Sequence, residues 1–224
     1  WYGCRTSKDV GPKLRMGRTH PILGVAPPGT VISRSPDPQR QYVGSPSVTI
    51  LPNGDYVASH DWFGPATTFD TTFVFRSTNK GVTWQRVAEL KGQFWSTLFV
   101  HGKALYIMGN SKRFGAVVIR RSDDRGETWT TPTGPEDGIL LPEPIYHCAP
   151  VPVVVHNGRI WRAMEDRHGK TDWGRWFRTF AMSAPIDAGL LRADSWTNTN
   201  RLASDPAWDP AKMSGWLEGN IIVD

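Results

Sequence analysis

The octapeptide STNKGVTW, Ser77 to Trp84, returns 45 residues later as SDDRGETW, Ser122 to Trp129. Ser, Gly, Thr and Trp stand at matching positions in the two copies. A short motif recurring at such an interval marks a repeat architecture, in which each unit buries its apolar face against the next. The residue types say how each unit ends. Asn79 or Asp124 can turn its side-chain oxygen back to backbone N–H groups further along, and Ser77 and Ser122 can do the same more weakly. Gly81 and Gly126 supply a positive φ. Thr83 and Thr128 restart a strand, and Trp84 and Trp129 bury a large face against an adjoining sheet.

The hydrophobic pattern around each copy reads as strands. SVTILPNGDYVASHDW is two β-rich runs joined at Asn53-Gly54, a strong hairpin signal because both residues tolerate positive φ. TTFVFRS (71–77) is a third strand, the octapeptide a turn, and TWQRVAEL (83–90) a fourth. The order then repeats. STLFVHGKALYIMGN turns at His101-Gly102, GAVVIRRS follows, then the second octapeptide, and TWTTP opens a fourth strand. APVPVVVHNGRIWRAME turns at Asn157-Gly158, RWFRTFAMSAP follows, and the unit ends at Trp196. The hairpin glycines Gly54, Gly102 and Gly158 are 48 and 56 apart, and the longer interval implies an insertion around 133–147. Four-stranded antiparallel units at this spacing predict β-propeller blades. The expected blades are 44–91, 92–133 and 145–200, with a fourth beginning near 215. Residues 1–43 read as an irregular segment with one candidate strand around Gly29–Ser33. The one stretch with any helical pattern is PIDAGLLRA (185–193).

Composition narrows the function. The 224 residues carry a net charge of +5, with the basic residues scattered. No basic run and no nucleic-acid motif occurs, so no nucleic-acid partner is expected. No apolar run reaches eighteen residues, so no membrane-spanning helix is expected. Eleven Trp residues raise the expectation of a carbohydrate site, since planar aromatics stack on sugar rings. Cys4 and Cys148 leave a disulfide open, and no compact His/Cys/Asp ligand set appears, so neither metal nor cofactor is expected. The chain starts at Trp1 without a readable signal peptide and stops inside an apparent strand, NIIVD. A fragment of a longer protein, inactive by itself, is the expectation.

The octapeptides resemble the Asp-box, or bacterial neuraminidase repeat, S-x-D-x-G-x-T-W. The second copy fits every position and the first has Asn79 for Asp. The chain is therefore similar to the sialidase-like β-propeller glycoside hydrolases over roughly 43–224. The resemblance implies an all-β propeller of the sialidase type, with six blades in full, and a secreted or periplasmic protein. It also places the octapeptides on the outer rim, away from the active site. Ligand groups would sit at one mouth, where the first strand of each blade begins and the second ends.

That filter selects four places. In SHDWFG, Asp61 could act as general acid or base, His60 could bond a sugar hydroxyl and Trp62 could stack on a ring, although Asp61 also suits a turn. Trp95 lies at the mouth of the second blade, where core packing is the alternative. His147 leads into the third blade, and Arg162 and Glu165 leave its hairpin; spaced by three, they face opposite sides of a strand. Glu218 in WLEGN matches the sialidase Glu that serves as base toward a catalytic Tyr, with Asn220 beside it. Two departures stand out. Gly44 in VGSPSV takes the place of the carboxylate-binding Arg, and the acid/base Asp at the second blade is missing near Trp95.

These readings point to an exo-α-sialidase-like glycoside hydrolase acting on terminal sugars of a glycan. Asp61 and Glu218 are the expected catalytic acids, with Glu165 in reserve, working through an oxocarbenium-like transition state. His60, Trp62, Trp95, His147, Arg162 and Asn220 are the expected substrate contacts. A non-catalytic glycan-binding propeller and a propeller polysaccharide lyase are the alternatives.

Overall fold

Among the described residues, three antiparallel meanders follow one another along the chain. The computed structural model describes residues 29–148, 151–168 and 177–203. The chain divides into two units, 1–30 and 31–224, and the architecture below belongs to the second. Sheet 1 has the order β1 (Tyr42–Ile50), β2 (Tyr56–Phe63), β3 (Thr71–Ser77), β4 (Gln85–Lys91). Sheet 2 runs β5 (Phe94–His101), β6 (Ala104–Asn110), β7 (Val117–Ser122), β8 (Ile139–Leu141). Sheet 3 is the same meander with split outer strands. β9 (Tyr146–His147) and β10 (Val154–His156) share one edge of β11 (Arg159–Asp166). β13 (Thr197–Asn198) and β14 (Leu202–Ala203) share the far edge of β12 (Arg178–Pro185).

The differences from the sequence reading have local causes. No strand forms over 29–33, and the first among the described residues begins at Tyr42. The segment after Trp129 touches β7 only through Thr130, and the fourth strand of sheet 2 forms later, as β8. Pro132 and Pro135 have no N–H to give a ladder there. The same deficit at Pro152 falls within the interruption between β9 and β10. The stretch 185–193 is not an α-helix; a single 3₁₀ turn, Ala193–Ser195, follows it.

Sheet 2 is covered on both faces, because alternate residues of a strand point to opposite sides. Leu105 and Ile107 of β6 join Leu51, Val57, Val74 and Leu90 of sheet 1 in one core cluster. Tyr106 and Met108, which alternate with them in sequence, join Ile160, Met164, Phe180 and Met182 of sheet 3 in the other. The inner strands stay partly open: Val48 is 65% exposed, and Ile50, Val154 and Val155 are also exposed.

Each octapeptide closes a corner on itself. Ser122 Oγ donates to Asp124 and accepts from Gly126 N at 2.8 Å. Asp124 accepts from the N–H groups of Glu127 and Thr128 and from the Thr128 hydroxyl at 2.5 Å. Trp129 Nε1 donates to Gly126 O at 2.9 Å. In the first copy Asn79 Oδ1 accepts from Ser77 Oγ and Thr83 N, and its amide donates to Thr83 Oγ1 at 2.9 Å. The bond to the Thr hydroxyl thus reverses direction, which is why Asn can stand where Asp does. Slight burial pushes the Asp124 carboxyl up, but the Thr128, Ser122 and Glu127 donors outweigh it and hold it below its ordinary value. That contribution is present above the unfolded carboxyl pKa and is lost as pH falls through the lower folded value. Asp124→Ala should destabilise by about 1–2 kcal/mol in urea unfolding at pH 7, as for a lost cap. The deficit should shrink in acid, whereas that of Asn79→Ala should not.

Candidate active site

The innermost strands share a backbone defect. In β1 the ladder slips between Gly44 and Ser47, and in β5 between Phe94 and Thr97, each time setting two residues against one. Such a bulge twists the strand and re-aims its groups. Ser45 and Trp95, the first bulged residues, have φ of 49° and 52°, strained for residues with a Cβ. In β6 the residue facing the bulge is Gly109, where a Cβ would lie 2.6 Å from Phe94 O. In sheet 3 the corresponding stretch is the break between β9 and β10.

The residue pairing with the last position before each defect is polar and buried. Asp61 pairs with Gly44, Asn110 with Phe94, and Glu165 with His147. All three stand at the ends of second strands, beside the loops to the third strands.

Asp61 reaches into the next sheet. Its Oδ2 accepts from Trp95 N at 2.6 Å, and the Ser45 hydroxyl and Ser96 N–H add to the cage. Its Oδ1 lies 2.5 Å from Thr72 Oγ1, which is also 3.0 Å from Gln93 O. One hydroxyl proton cannot serve both acceptors. A protonated Asp61 resolves this by donating to Thr72, which then donates to Gln93 O. The electrostatics agree: Asp61 is 1% exposed, and burial, opposed by its Thr72, Trp95, Ser45 and Ser96 donors, still raises its pKa to about 7.

Asn110 makes the equivalent contact one sheet on. Cys148 Sγ lies 3.1 Å from Asn110 Oδ1 and 2.9 Å from Trp95 O. Cys148 is a free thiol, and burial pushes its pKa up to about 11, so it is protonated and unreactive at neutral pH. Arg162, Glu165 and Asp61 all act on it electrostatically, which gathers the three around one buried sulfur. Arg162 is wholly buried and donates to Val151 O in the break after β9.

Glu165 faces its strand partner. His147 Nδ1 lies 2.5 Å from Glu165 Oε2. The imidazole is walled by aromatic rings, with Trp95 edge-on at 4.2 Å, Phe177 at 5.0 Å and Phe114 at 6.2 Å between centroids. Arg167 stacks over Phe114 at 4.3 Å. Next to Glu165, Asp166 takes Arg178 at 2.8 and 2.9 Å and Arg201 at 3.3 Å, tying β11 to β12 and the approach to β14.

The structure therefore brings together Asp61, Trp95, His147, Arg162 and Glu165. His60 and Trp62 point the other way, because β2 runs on to Phe63 and its side chains alternate. They form an aromatic cluster with Phe73 and Phe75 on the opposite face of sheet 1. Burial lowers the His60 pKa. Trp95 is 4% exposed and serves as a wall, not an open platform for a sugar. Glu218, Asn220 and Cys4 lie outside the described residues. Asn110 and Cys148 escaped the sequence reading, although Asp61, Asn110 and Glu165 all fall seven or eight positions after a hairpin glycine. Among the described residues no group of three or more His, Cys, Asp or Glu side chains is set to hold a metal ion. Nor is any helix among them long and apolar enough to cross a membrane.

No protein-family model matches the chain, and no curated protein is similar to it. Solved structures do share its fold. An α-L-arabinanase of Penicillium chrysogenum, complexed with arabinobiose, is similar at 17% identity and a TM-score of 0.50, over 77% of this chain and 52% of that one. An α-L-arabinofuranosidase of Fusarium graminearum is similar at 12% identity and a TM-score of 0.53, over 74% and 48%. A sialidase of Hadza microbial origin is similar at 17% identity and a TM-score of 0.51, over 72% and 37%. The fold is that of propeller glycoside hydrolases. The chain spans about half the length of the first two of these structures.

Proposed function

We propose that the chain belongs to a secreted or periplasmic glycoside hydrolase that cleaves terminal sugars from a glycan. One observation carries this reading: a carboxyl held protonated near neutrality, Asp61, buried where the inner strands of two neighbouring sheets meet. A glycosidic oxygen leaves only when protonated, and a carboxylic acid with a pKa near 7 can supply that proton at working pH. Glu165, joined to His147, provides a second carboxylate in the same region. Glu218 remains the candidate base carried over from the sialidase resemblance. The fold shared with an arabinanase, an arabinofuranosidase and a sialidase supports the class.

The narrower reading, an exo-α-sialidase, rests on the two octapeptides and on the sialidase among those structures. The lyase alternative draws on the His147–Glu165 pair, which could serve as a base. Incubating the complete protein with aryl α-L-arabinofuranoside, aryl β-galactoside and sialyllactose tests these readings together. A hydrolase releases a reducing sugar from at least one, and on a substrate with an unactivated leaving group Asp61→Asn should lower kcat by about 10²–10⁴-fold, the usual worth of a general acid. Release of sialic acid alone selects the sialidase. An unsaturated product from a uronate polymer selects the lyase, and no release from any of them contradicts catalysis.

A further inference from the structure

We propose that a cavity between sheets 2 and 3 is a glycan contact apart from the Asp61 region, in which Arg121 takes the carboxylate of an acidic sugar. The inference goes beyond the glycosidase reading and does not need it, since a free sugar acid binds there whether or not any bond is cut. The repeat supplies the comparison that carries it. Arg76 and Arg121 are equivalent, each the residue before an octapeptide serine. Between sheets 1 and 2, Arg76 Nη1 reaches Glu127 of the second octapeptide at 2.7 Å, so the turn of one sheet closes over the arginine of the sheet before it. The next junction lacks that closure. Ile160 pairs with Ala184 as Tyr56 pairs with Ser77 and Leu105 with Ser122, so Ala184 holds the serine position. Five residues on, where the second octapeptide has Glu127, the loop of sheet 3 has Gly189. In place of the missing carboxylate lies a cavity of about 290 Å³. It is lined by His101, Tyr106 and Arg121 of sheet 2 and by Ile186, Asp187 and Gly189 of the loop.

The lining suits such a ligand. Arg121 Nε and Nη2 both donate to Asp123 Oδ1, at 3.0 and 2.7 Å, which leaves Nη1 out of that pair. The Arg121 side chain is 43% exposed, against 14% for Arg76. A guanidinium with donors to spare matches the planar fork of a carboxylate. Arg192, also on the wall, is already held by Asp194 and Glu136, so Arg121 is the cation left to the ligand. Phe99 stacks against Tyr106 at 5.4 Å and fixes the phenol ring across the strand pair from Arg121. Tyr106 and Ile186 offer apolar surface to the face of a sugar ring. Asp187 disfavours a bare anion and accepts from the hydroxyls of a sugar, so the cavity selects a carboxylate that carries hydroxyl groups. Small-molecule sites begin at about 300 Å³, so the volume matches a single sugar unit.

The test is a titration of the complete protein with sodium glucuronate, glucose and acetate, followed in ¹H–¹⁵N spectra that include the arginine Nε–H signals. Glucuronate should bind in the millimolar range, as befits so small a ligand, and should move the Arg121 signal. Glucose, which lacks the carboxylate, and acetate, which lacks the ring, should each bind at least about tenfold more weakly. Glucose binding as tightly as glucuronate would overturn the role of Arg121, and acetate binding as tightly would overturn the sugar. Arg121→Gln should weaken glucuronate at least about tenfold. Gly189→Glu should abolish its binding, because it restores a carboxylate at the position of Glu127. Gly189 has no positive φ, and an added Cβ would meet Arg192 Cδ at 3.4 Å, an ordinary contact. The variant should therefore keep the wild-type Tm; if it does not, the half-exposed Arg121→Gln decides. A wild type that does not bind glucuronate, or binding undiminished in either variant, would overturn the site.

Discussion

Wild-type stability should fall by about 4 kcal/mol between pH 4 and pH 8 through Asp61 alone, and Asp61→Asn should remove that slope. The Asp61 carboxyl moves from 3.8 in an ordinary setting to about 7 in the fold, chiefly through burial. The sign follows from proton counting. Below pH 4 both states hold the proton. Between pH 4 and 7 the unfolded chain releases it and the native state keeps it, so rising pH favours unfolding. Above pH 7 both states are ionised and the penalty is constant. His60 works in the opposite direction: its pKa is lowered by burial, so it favours the native state more as pH rises toward 6.5. Subtracting the Asp61→Asn profile from that of the wild type isolates the Asp61 contribution. Urea unfolding at five or six pH values gives both curves. A flat difference would mean that Asp61 is ionised in the fold and cannot be the proton donor.

Arg162→Ala should cost about 3–5 kcal/mol, the usual range when a buried charged group is cut from its partners. The guanidinium is wholly buried, donates to Val151 O and lies against Cys148. It props the break between β9 and β10, where the inner strand has lost its ladder. Removing it leaves the buried Val151 carbonyl without that donor and opens a cavity beside Cys148. For a domain of this size the drop in Tm should be about 10 °C. Arg162→Met, which retains most of the volume, should recover part of it. The sequence reading made Arg162 a substrate contact, and that role predicts a raised KM with an unchanged Tm. The thermal melt and the KM of Arg162→Met distinguish the two.

The parts of the fold that were legible in the sequence depend on backbone chemistry. Asn157 and Gly158 have φ of 48° and 68°, as their residue types announce. The octapeptides state their own hydrogen bonds. What could not be read depends on neighbours in space. His60, Asp61 and Trp62 look like one constellation only if 60–64 is a loop; once β2 extends to Phe63, alternation sends Asp61 one way and the two rings the other. Cys148 carries no sequence signal, because its partners Trp95 and Asn110 are 53 and 38 residues away. Pro132 and Pro135 signal the late fourth strand of sheet 2, since neither has an N–H to give β7.

The proposed acid role of Asp61 requires it to protonate the oxygen that leaves when a glycosidic bond is cut. The most direct measurement is proton NMR of the complete protein with the three glycosides and, in parallel, its Asp61→Asn variant. The account predicts free sugar from the wild type, and from the variant only when the leaving group is an activated phenol that needs no proton. Equal turnover of unactivated substrate by both proteins would contradict it.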